Sequence, residues 1–335
     1  MIRVGVIGAT GYTGLELLKL LLRHPEVQIV ALTSRQAGQH IAEVHPQLAG
    51  RIDLHLENIG QAELAGRCDC VFSCLPHAAS AEACAELLSA GTRVVDFSAD
   101  YRLNDVDVYE KWYATTHPDP ARLPTTPYGL PEFFAADIVS APLVANPGCY
   151  PTSAIMGLGP LLQAGAIATD DLIIDSKSGV SGGGRTPKLN FHFPECNENF
   201  SAYGVGKHRH TPEIVQILST LAGADVGLIF TPHLVPMDRG ILTTAYAKRT
   251  DARSEAQLLE ILKSKYAECP FVRVSENLPA TKYTAHTNFC DISLRVVGER
   301  VVVVSCIDNL IKGASGAAVQ NMNLMFGQPQ TRGLL

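Results

Sequence analysis

Two short stretches concentrate the side chains of this sequence that could do chemistry. Residues 144–156 read VANPGCYPTSAIM, with Cys149 between Gly148 and a segment whose Pro151 fits the first turn of a helix. A thiol there faces unpaired backbone N–H groups and the positive end of a helix dipole, which favour thiolate over thiol. Residues 204–214 read GVGKHRHTPEI, putting His208 and His210 in a glycine-containing loop that enters a helix with Thr211 as its cap and Pro212 in its first turn. The charged form of a histidine near a helix N-terminus is disfavoured, so His208 is a neutral general-base candidate. Glu213 adds a carboxylate to the same motif. A nucleophile, a base and polar neighbours suit acyl chemistry; the plainer alternative is a packed cysteine beside structural histidines.

Anion grips lie elsewhere. SGVSGGGR at 178–185 could offer successive N–H groups to an oxyanion, with Arg185 gripping a carboxylate or phosphate. Arg102 in DFSADYRL follows a strand, at the carboxyl edge where ligands of open α/β sheets bind. The stretch GATGYTG at 8–14 follows an apolar strand and opens a helix bearing Leu15, Leu18 and Leu22. It has the context of a dinucleotide fingerprint, with Gly8, Thr10, Gly11, Tyr12, Thr13 and Gly14 around the pyrophosphate. The second strand ends in LTSRQ, so Ser34 and Arg35 stand where an NAD-binding protein carries an acid. A hydroxyl and a cation suit a 2′-phosphate, which points to NADP. Leu75 and Pro76, where CDCVFSCL ends, and Ser178 and Gly179 complete the cofactor set read from position.

These residues need a scaffold, and the pattern of the chain supplies one. Strand and helix alternate through residues 1–150, as a doubly wound Rossmann-type parallel sheet does. From about 172 the strands lengthen, and FCDISLRVV and RVVVVSCID are joined by Gly298 and Glu299 alone, the length of a II′ hairpin. That half reads as an α+β substrate domain with a largely antiparallel sheet, spanning 151–312. Ser254 with Gln257 forms a capping box. The fold class is therefore α/β. GASGAAVQNMNLMFG within 313–335 reads as a helix with a Gly/Ala-rich face for close packing.

The chain of 335 residues is 46% hydrophobic and 18% charged with a net charge of −6, so it can bury a sizeable core and offers no basic tract to nucleic acid or an anionic membrane. No apolar run reaches membrane-spanning length, and MIRVGVIG enters a strand without a signal-peptide pattern, so a cytoplasmic location is expected. The nine cysteines contain no CxxC pair, and reduced thiols are the expectation. In CDCVFSC the period of two makes packing a sufficient reason for Cys68, Cys70 and Cys74.

Taken together, GATGYTG, VANPGCYPTSA, SGVSGGGR, GVGKHRHTPEI, FTPHLVPMDRGI and DNLIKGASGAAVQNMN resemble, in order, the N-acetyl-gamma-glutamyl-phosphate reductase family, which is related to aspartate-semialdehyde dehydrogenase. The resemblance implies arginine biosynthesis and NADPH-dependent reduction of an acyl phosphate through a cysteine thioester. Cys149 would be the nucleophile and His208 the base, with His210 and Glu213 as substrate contacts. It also implies a helix from Gly313 that returns to the nucleotide domain, Asn309 and Gly313 near the cofactor, and a homo-oligomer. The small-molecule partners would be the acyl phosphate or semialdehyde and phosphate; no metal is expected. Rival readings are an aspartate- or aminoadipate-semialdehyde dehydrogenase of the same mechanism, a redox-sensing NADP-binding protein, and a metal hydrolase using His192, Cys196, His208 and His210.

Overall fold

Apolar runs without alternation mark strands covered on both faces, and the first 147 residues contain several. In a computed structural model describing residues 1–335, β1 (Ile2–Ile7), β2 (Val27–Thr33), β3 (Leu56–Glu57), β4 (Cys70–Ser73), β5 (Arg93–Asp96) and β6 (Leu143–Ala145) form one sheet in the order β3-β2-β1-β4-β5-β6. Every pairing in it is parallel. All residues of β4 and β6 are buried. This is the doubly wound topology expected; β3, only two residues long, has no hydrophobic signal of its own and was not legible. The unit comprises Met1–Pro147 and Ala314–Leu335, so the C-terminal helix Gly316–Met325 belongs to it. While the expected Leu22 is its C-cap and only half-buried, the helix Tyr12–Leu21 buries Leu17, Leu20 and Leu21 besides the expected Leu15 and Leu18. The reason is double coverage, since both the sheet and the C-terminal helix pack on it.

The second unit, Gly148–Gly313, is built on β7 (Leu172–Ser178), β8 (Ser201–Ala202), β9 (Leu228–Leu234), β10 (Ile241–Lys248), β11 (Val272–Val274), β12 (Cys290–Val297) and β13 (Arg300–Ile307). Their order is β11-β12-β13-β10-β7-β9-β8. Pairings β7·β9 and β11·β12 are parallel and the other four antiparallel, so the sheet is mixed and largely antiparallel. The Gly298–Glu299 link carries a positive φ at Gly298 only, as a II′ turn requires. Side chains alternate along β7 and β10 between buried and half-buried. The buried face carries the helix Cys149–Gln163, whose residues from Tyr150 to Leu162 are all buried, and that helix packs in turn on Thr211–Ala222 and Glu255–Tyr266. Gly157 lets it approach the sheet, since a Cβ there would stand 3.1 Å from Val303. The capping box of Ser254 and Gln257 is present. The opposite face is uncovered within the chain, with Ile229, Ile173, Tyr246 and Val302 in register across it.

Candidate active site

In the first unit the glycine turn closes β1 onto the start of its helix. Gly8 has φ +75°, and a Cβ there would stand 2.8 Å from the Cys74 carbonyl at the end of β4. A Cβ on Gly14 would stand 2.6 Å from the Ala9 carbonyl. Gly11 differs: it is the N-cap of the helix, and nothing lies closer than 3.9 Å to the position of its missing Cβ. Two glycines thus serve tight packing and the third leaves an open cradle at a helix start, at the β1/β4 point where the strand order reverses. No acid occupies the first turn of that helix to repel phosphate. These residues fit a dinucleotide. Ser315 Oγ donates to the Thr13 carbonyl at 2.8 Å, tying the C-terminal segment to the same turn.

At the end of β2, Ser34 Oγ accepts the Gln36 N–H at 3.2 Å and Arg35 is exposed. The acid on the neighbouring strand, Glu57, is engaged by Arg67 at 2.7 and 2.9 Å, which lowers its pKa. It is therefore no substitute for the ribose-binding acid of an NAD site. Leu75 and Pro76 follow β4 on the same edge. Arg102, expected as a substrate grip, is buried instead: its Nε donates to the Asn146 carbonyl at 2.8 Å and its Nη2 to the Phe97 carbonyl at 2.7 Å. It fastens the segments after β5 and β6 to one another, a role that a lone arginine in a sequence does not disclose.

In the second unit Cys149 is the first residue of its helix, half-buried, with Gly148 as N-cap. Five of the other thiols are held protonated by burial, which pushes Cys68 up to about 11 and Cys306 to about 12, and raises Cys70, Cys74 and Cys84 further. The expected row of unpaired N–H groups is modified at one place. Glu213 is buried, and its Oε1 accepts the Gly148 N–H at 2.8 Å. The acid of the HRHTPE motif thus holds the N-cap of the helix that Cys149 opens, where the sequence implied a substrate contact. Thr211 is the first helical residue and His210 the N-cap, without a side-chain capping bond, so the expected threonine cap does not form.

Gly313 lies on the other side of the cysteine. A Cβ on it would stand 2.8 Å from Cys149 Cβ and 3.2 Å from its Cα. The approach comes from a π-turn over Ile311–Ser315, closed by the Gly313 N–H to the Asp308 carbonyl at 2.9 Å. Such turns recur at functional sites. If Cys149 is the reacting group, Gly313→Ala should displace it and cut kcat by about a hundredfold or more, an effect of the size that follows misplacement of a reacting group. Steady-state kinetics beside a thermal melt would check it, with the melt expected to move far less than the rate.

His208 sits among the rings of Tyr150, Tyr203 and Phe230, with centroids 5.5, 5.4 and 5.4 Å away. Burial, with the Arg209 charge a smaller cause, pushes it down to about 4, so the ring is neutral near pH 7. Its Nδ1 accepts the His210 N–H at 3.1 Å. The neutral ring then carries its proton on Nε2, and Nε2 bonds to no protein group. His208 therefore offers a hydrogen-bond donor, whereas the expected base would offer a lone pair; accepting a proton at Nδ1 requires losing the bond from His210. The neighbouring phenols form a chain the sequence did not flag: Tyr203 Oη donates to Tyr150 Oη at 3.0 Å, and Tyr150 Oη to the His233 carbonyl at 3.3 Å. Only the tyrosine beside Cys149 in the CYPT motif hinted at it.

The glycine loop after β7 is not an anion nest. The N–H groups of Gly179, Val180 and Ser181 go to the carbonyls of Gly240, Met237 and Asp238 at 2.9, 3.0 and 3.1 Å. A Cβ on Gly179 would run into the Asp238 backbone, which is why glycine is needed there. Asn309 is buried and cross-ties this loop, accepting the Gly240 N–H at 2.7 Å and donating to Ser181 Oγ at 3.0 Å. Ser178 is buried and Arg185 exposed. The zinc grouping of His192, Cys196, His208 and His210 does not form, since no three His, Cys, Asp or Glu side chains stand together as metal ligands would. No helix is long and apolar enough to cross a membrane.

A dinucleotide fold together with a second unit that opens a helix on a half-buried cysteine, the next residue of which packs edge-on to the half-buried His208, defines a class, and the comparisons agree with it. Residues 3–141 match the semialdehyde dehydrogenase NAD binding domain and residues 149–309 the semialdehyde dehydrogenase dimerisation domain; the chain belongs to the semialdehyde dehydrogenase family. Within that family it is 53% identical over 340 residues to the N-acetyl-gamma-glutamyl-phosphate reductase of Rhodopirellula baltica, covering 100% of this chain and 98% of that protein. It is 52% identical over 340 residues to the enzyme of the same name from Symbiobacterium thermophilum, covering 100% and 97%. Among solved structures, aspartate semialdehyde dehydrogenase II from Vibrio cholerae, complexed with ASA, aligns over 98% of each chain with a TM-score of 0.74 at 15% identity. Aspartate semialdehyde dehydrogenase with NADP from Candida albicans aligns over 97% of this chain and 98% of that one, with a TM-score of 0.73 at 18% identity. These last likenesses are of fold alone.

Proposed function

We propose that this protein reduces N-acetyl-L-glutamyl 5-phosphate to N-acetyl-L-glutamate 5-semialdehyde with NADPH, releasing phosphate, as a step of arginine biosynthesis. The observation that carries this reading is the placement of Cys149 at a helix N-terminus against Gly313, in a chain about half identical over its full length to reductases of that name. The Cys149 thiolate attacks the acyl carbon, the C–O bond to phosphate breaks, and a thioester remains. Held by the glycine turn at 8–14, a reduced nicotinamide would supply the hydride that the thioester carbonyl accepts. Collapse of the resulting oxyanion expels the thiolate and frees the aldehyde; the one proton that the whole sequence consumes goes from solvent to the departing phosphate, which leaves as hydrogen phosphate. His208 Nε2–H suits the acyl oxygen, where negative charge develops twice. Arg185 and His210 are assigned to the substrate, and Glu213 acts on it through Gly148.

The same reading gives Met1–Pro147 to NADP, Gly148–Gly313 to catalysis and oligomerisation, and Ala314–Leu335 to packing on the NADP domain; the expected boundaries at 150 and 312 move so that Cys149 and Gly313 both fall in the catalytic unit. Gly8 to Gly14 with Ser34, Arg35, Leu75 and Pro76 hold the cofactor from the first unit; Ser178, Gly179, Asn309 and Gly313 are assigned to it from the second, with Asn309 acting through the loop it ties. Arg35→Ala should raise KM for NADP by about tenfold or more while leaving that for NAD nearly unchanged, as loss of one ion pair to a phosphate would. An unchanged NADP preference would remove Arg35 from the account. The uncovered sheet face bearing Ile173, Ile229, Tyr246 and Val302 suits a second copy of the chain, and sedimentation of an Ile229→Lys variant would test it: dissociation is expected. A cytoplasmic location accompanies this role.

The test of substrate class is kcat/KM in the reverse direction, with phosphate and NADP, across N-acetylglutamate, aspartate and aminoadipate semialdehydes. Preference for the first supports the proposal; preference for either of the others replaces it with the corresponding dehydrogenase.

A further inference from the structure

The segment between β4 and the helix Ala81–Ser89 carries Leu75 and Pro76, and its backbone is held in an uncommon shape. Ala78 has φ +64°, the left-handed region that a residue with a Cβ seldom adopts. A single carboxylate spans this segment. Asp100, fully buried, accepts the Ala78 N–H at 2.8 Å on Oδ1, and the Ser80 and Ala81 N–H groups at 3.1 and 3.0 Å on Oδ2. Tyr109 Oη donates to the same Oδ1 at 2.8 Å. A second tie crosses the same gap, from the Ala99 N–H to His77 Nδ1 at 2.9 Å. The segment that carries the expected dinucleotide contacts Leu75 and Pro76 is thus held from beneath, at Ala78, Ser80 and Ala81, by an acid about twenty positions away in sequence that is itself fully buried.

We propose that Asp100 is the positioning residue of the cofactor site, holding the Leu75–Ser80 segment in the one conformation that receives the dinucleotide. This rests on reading Leu75 and Pro76 as cofactor contacts. Backbone strain is stable only where the surroundings over-determine it, and here three backbone N–H groups converge on one carboxylate, with the His77–Ala99 tie beside them. Asparagine is a poor replacement: one way round its NH2 faces the Ser80 and Ala81 N–H groups, and the other way it faces the Ala78 N–H, where only the Tyr109 hydroxyl can turn to accept. The segment would then spend most of its time in other shapes, and apparent affinity falls by the fraction that remains competent.

The test titrates NADPH fluorescence on the full chain, with wild type first: no saturable binding there would sink the cofactor reading itself. Given binding, Asp100→Asn should raise Kd for NADPH and KM for NADP by about tenfold or more while kcat at saturation stays within about threefold. The rate of Cys149 alkylation should be unchanged. Adding Ala78→Gly to that variant should recover part of the affinity, because glycine adopts the left-handed shape without the hold. Wild-type affinity in Asp100→Asn, even with a lowered melting temperature, would overturn the proposal. Should that variant not fold, the exposed Ala78→Val is the substitute. A branched side chain resists φ +64°, so weaker NADPH binding is expected, and unchanged binding would overturn the proposal equally.

Discussion

Cys149→Ser and Cys149→Ala should each lower phosphate-dependent NADP reduction by about 10⁴-fold or more, the scale on which removal of a covalent nucleophile acts. Cofactor affinity should barely change, because the glycine cradle lies in residues 8–14 and makes no use of the thiol. The serine variant is the sharper of the two. It keeps an oxygen in place of sulfur, but a hydroxyl is not ionised near pH 7 by a helix N-terminus, whereas a thiol is readily shifted into that range. Near-normal turnover in either variant would return Cys149 to the packing role that Cys68, Cys70 and Cys306 play. The control is one of those: Cys306→Ala should lose stability through its cavity and keep its kcat.

His208→Ala should lower kcat by about 10²–10³-fold, the usual loss for one oxyanion donor, with KM changed much less. His208→Asn separates the two roles open to the ring. An asparagine amide can donate as Nε2–H does, so a donor role leaves His208→Asn well above His208→Ala; a base role leaves the two alike. His210→Asn should cost less than either, and the reverse order would move the role to His210. The ring also sets a pH dependence. Its pKa falls from an ordinary 6.5 to about 4 on folding, so the folded state binds fewer protons than the unfolded one below pH 6.5. That stabilising contribution is complete above pH 6.5 and is lost as pH falls through the window down to about 4. Melting temperature should accordingly fall less steeply with acidification in His208→Asn than in wild type.

Much of this was legible in the residues. The doubly wound sheet follows from short apolar strands separated by helices, and the glycine turn from its position between β1 and a helix; the hairpin at Gly298 and the capping box at Ser254 each follow from two residues of fixed local chemistry. Long-range partners were not legible. Arg102 looked like an open cation because nothing nearby in sequence names the Asn146 and Phe97 carbonyls that it holds. SGVSGGGR looked like a phosphate nest because the carbonyls of Met237, Asp238 and Gly240 that occupy its N–H groups come from sixty residues further on. Glu213 and the Gly148 N–H are likewise separated by 65 positions. The tautomer of His208 depends on one backbone bond, which composition and spacing do not encode.

The most direct measurement withholds phosphate in the reverse direction. Incubated with N-acetylglutamate semialdehyde and NADP alone, the enzyme should form one equivalent of NADPH per chain and stop, and mass spectrometry should find one N-acetylglutamyl group on the peptide containing Cys149. Continued NADPH formation with no adduct, or an adduct on a different residue, would contradict thioester catalysis at this cysteine.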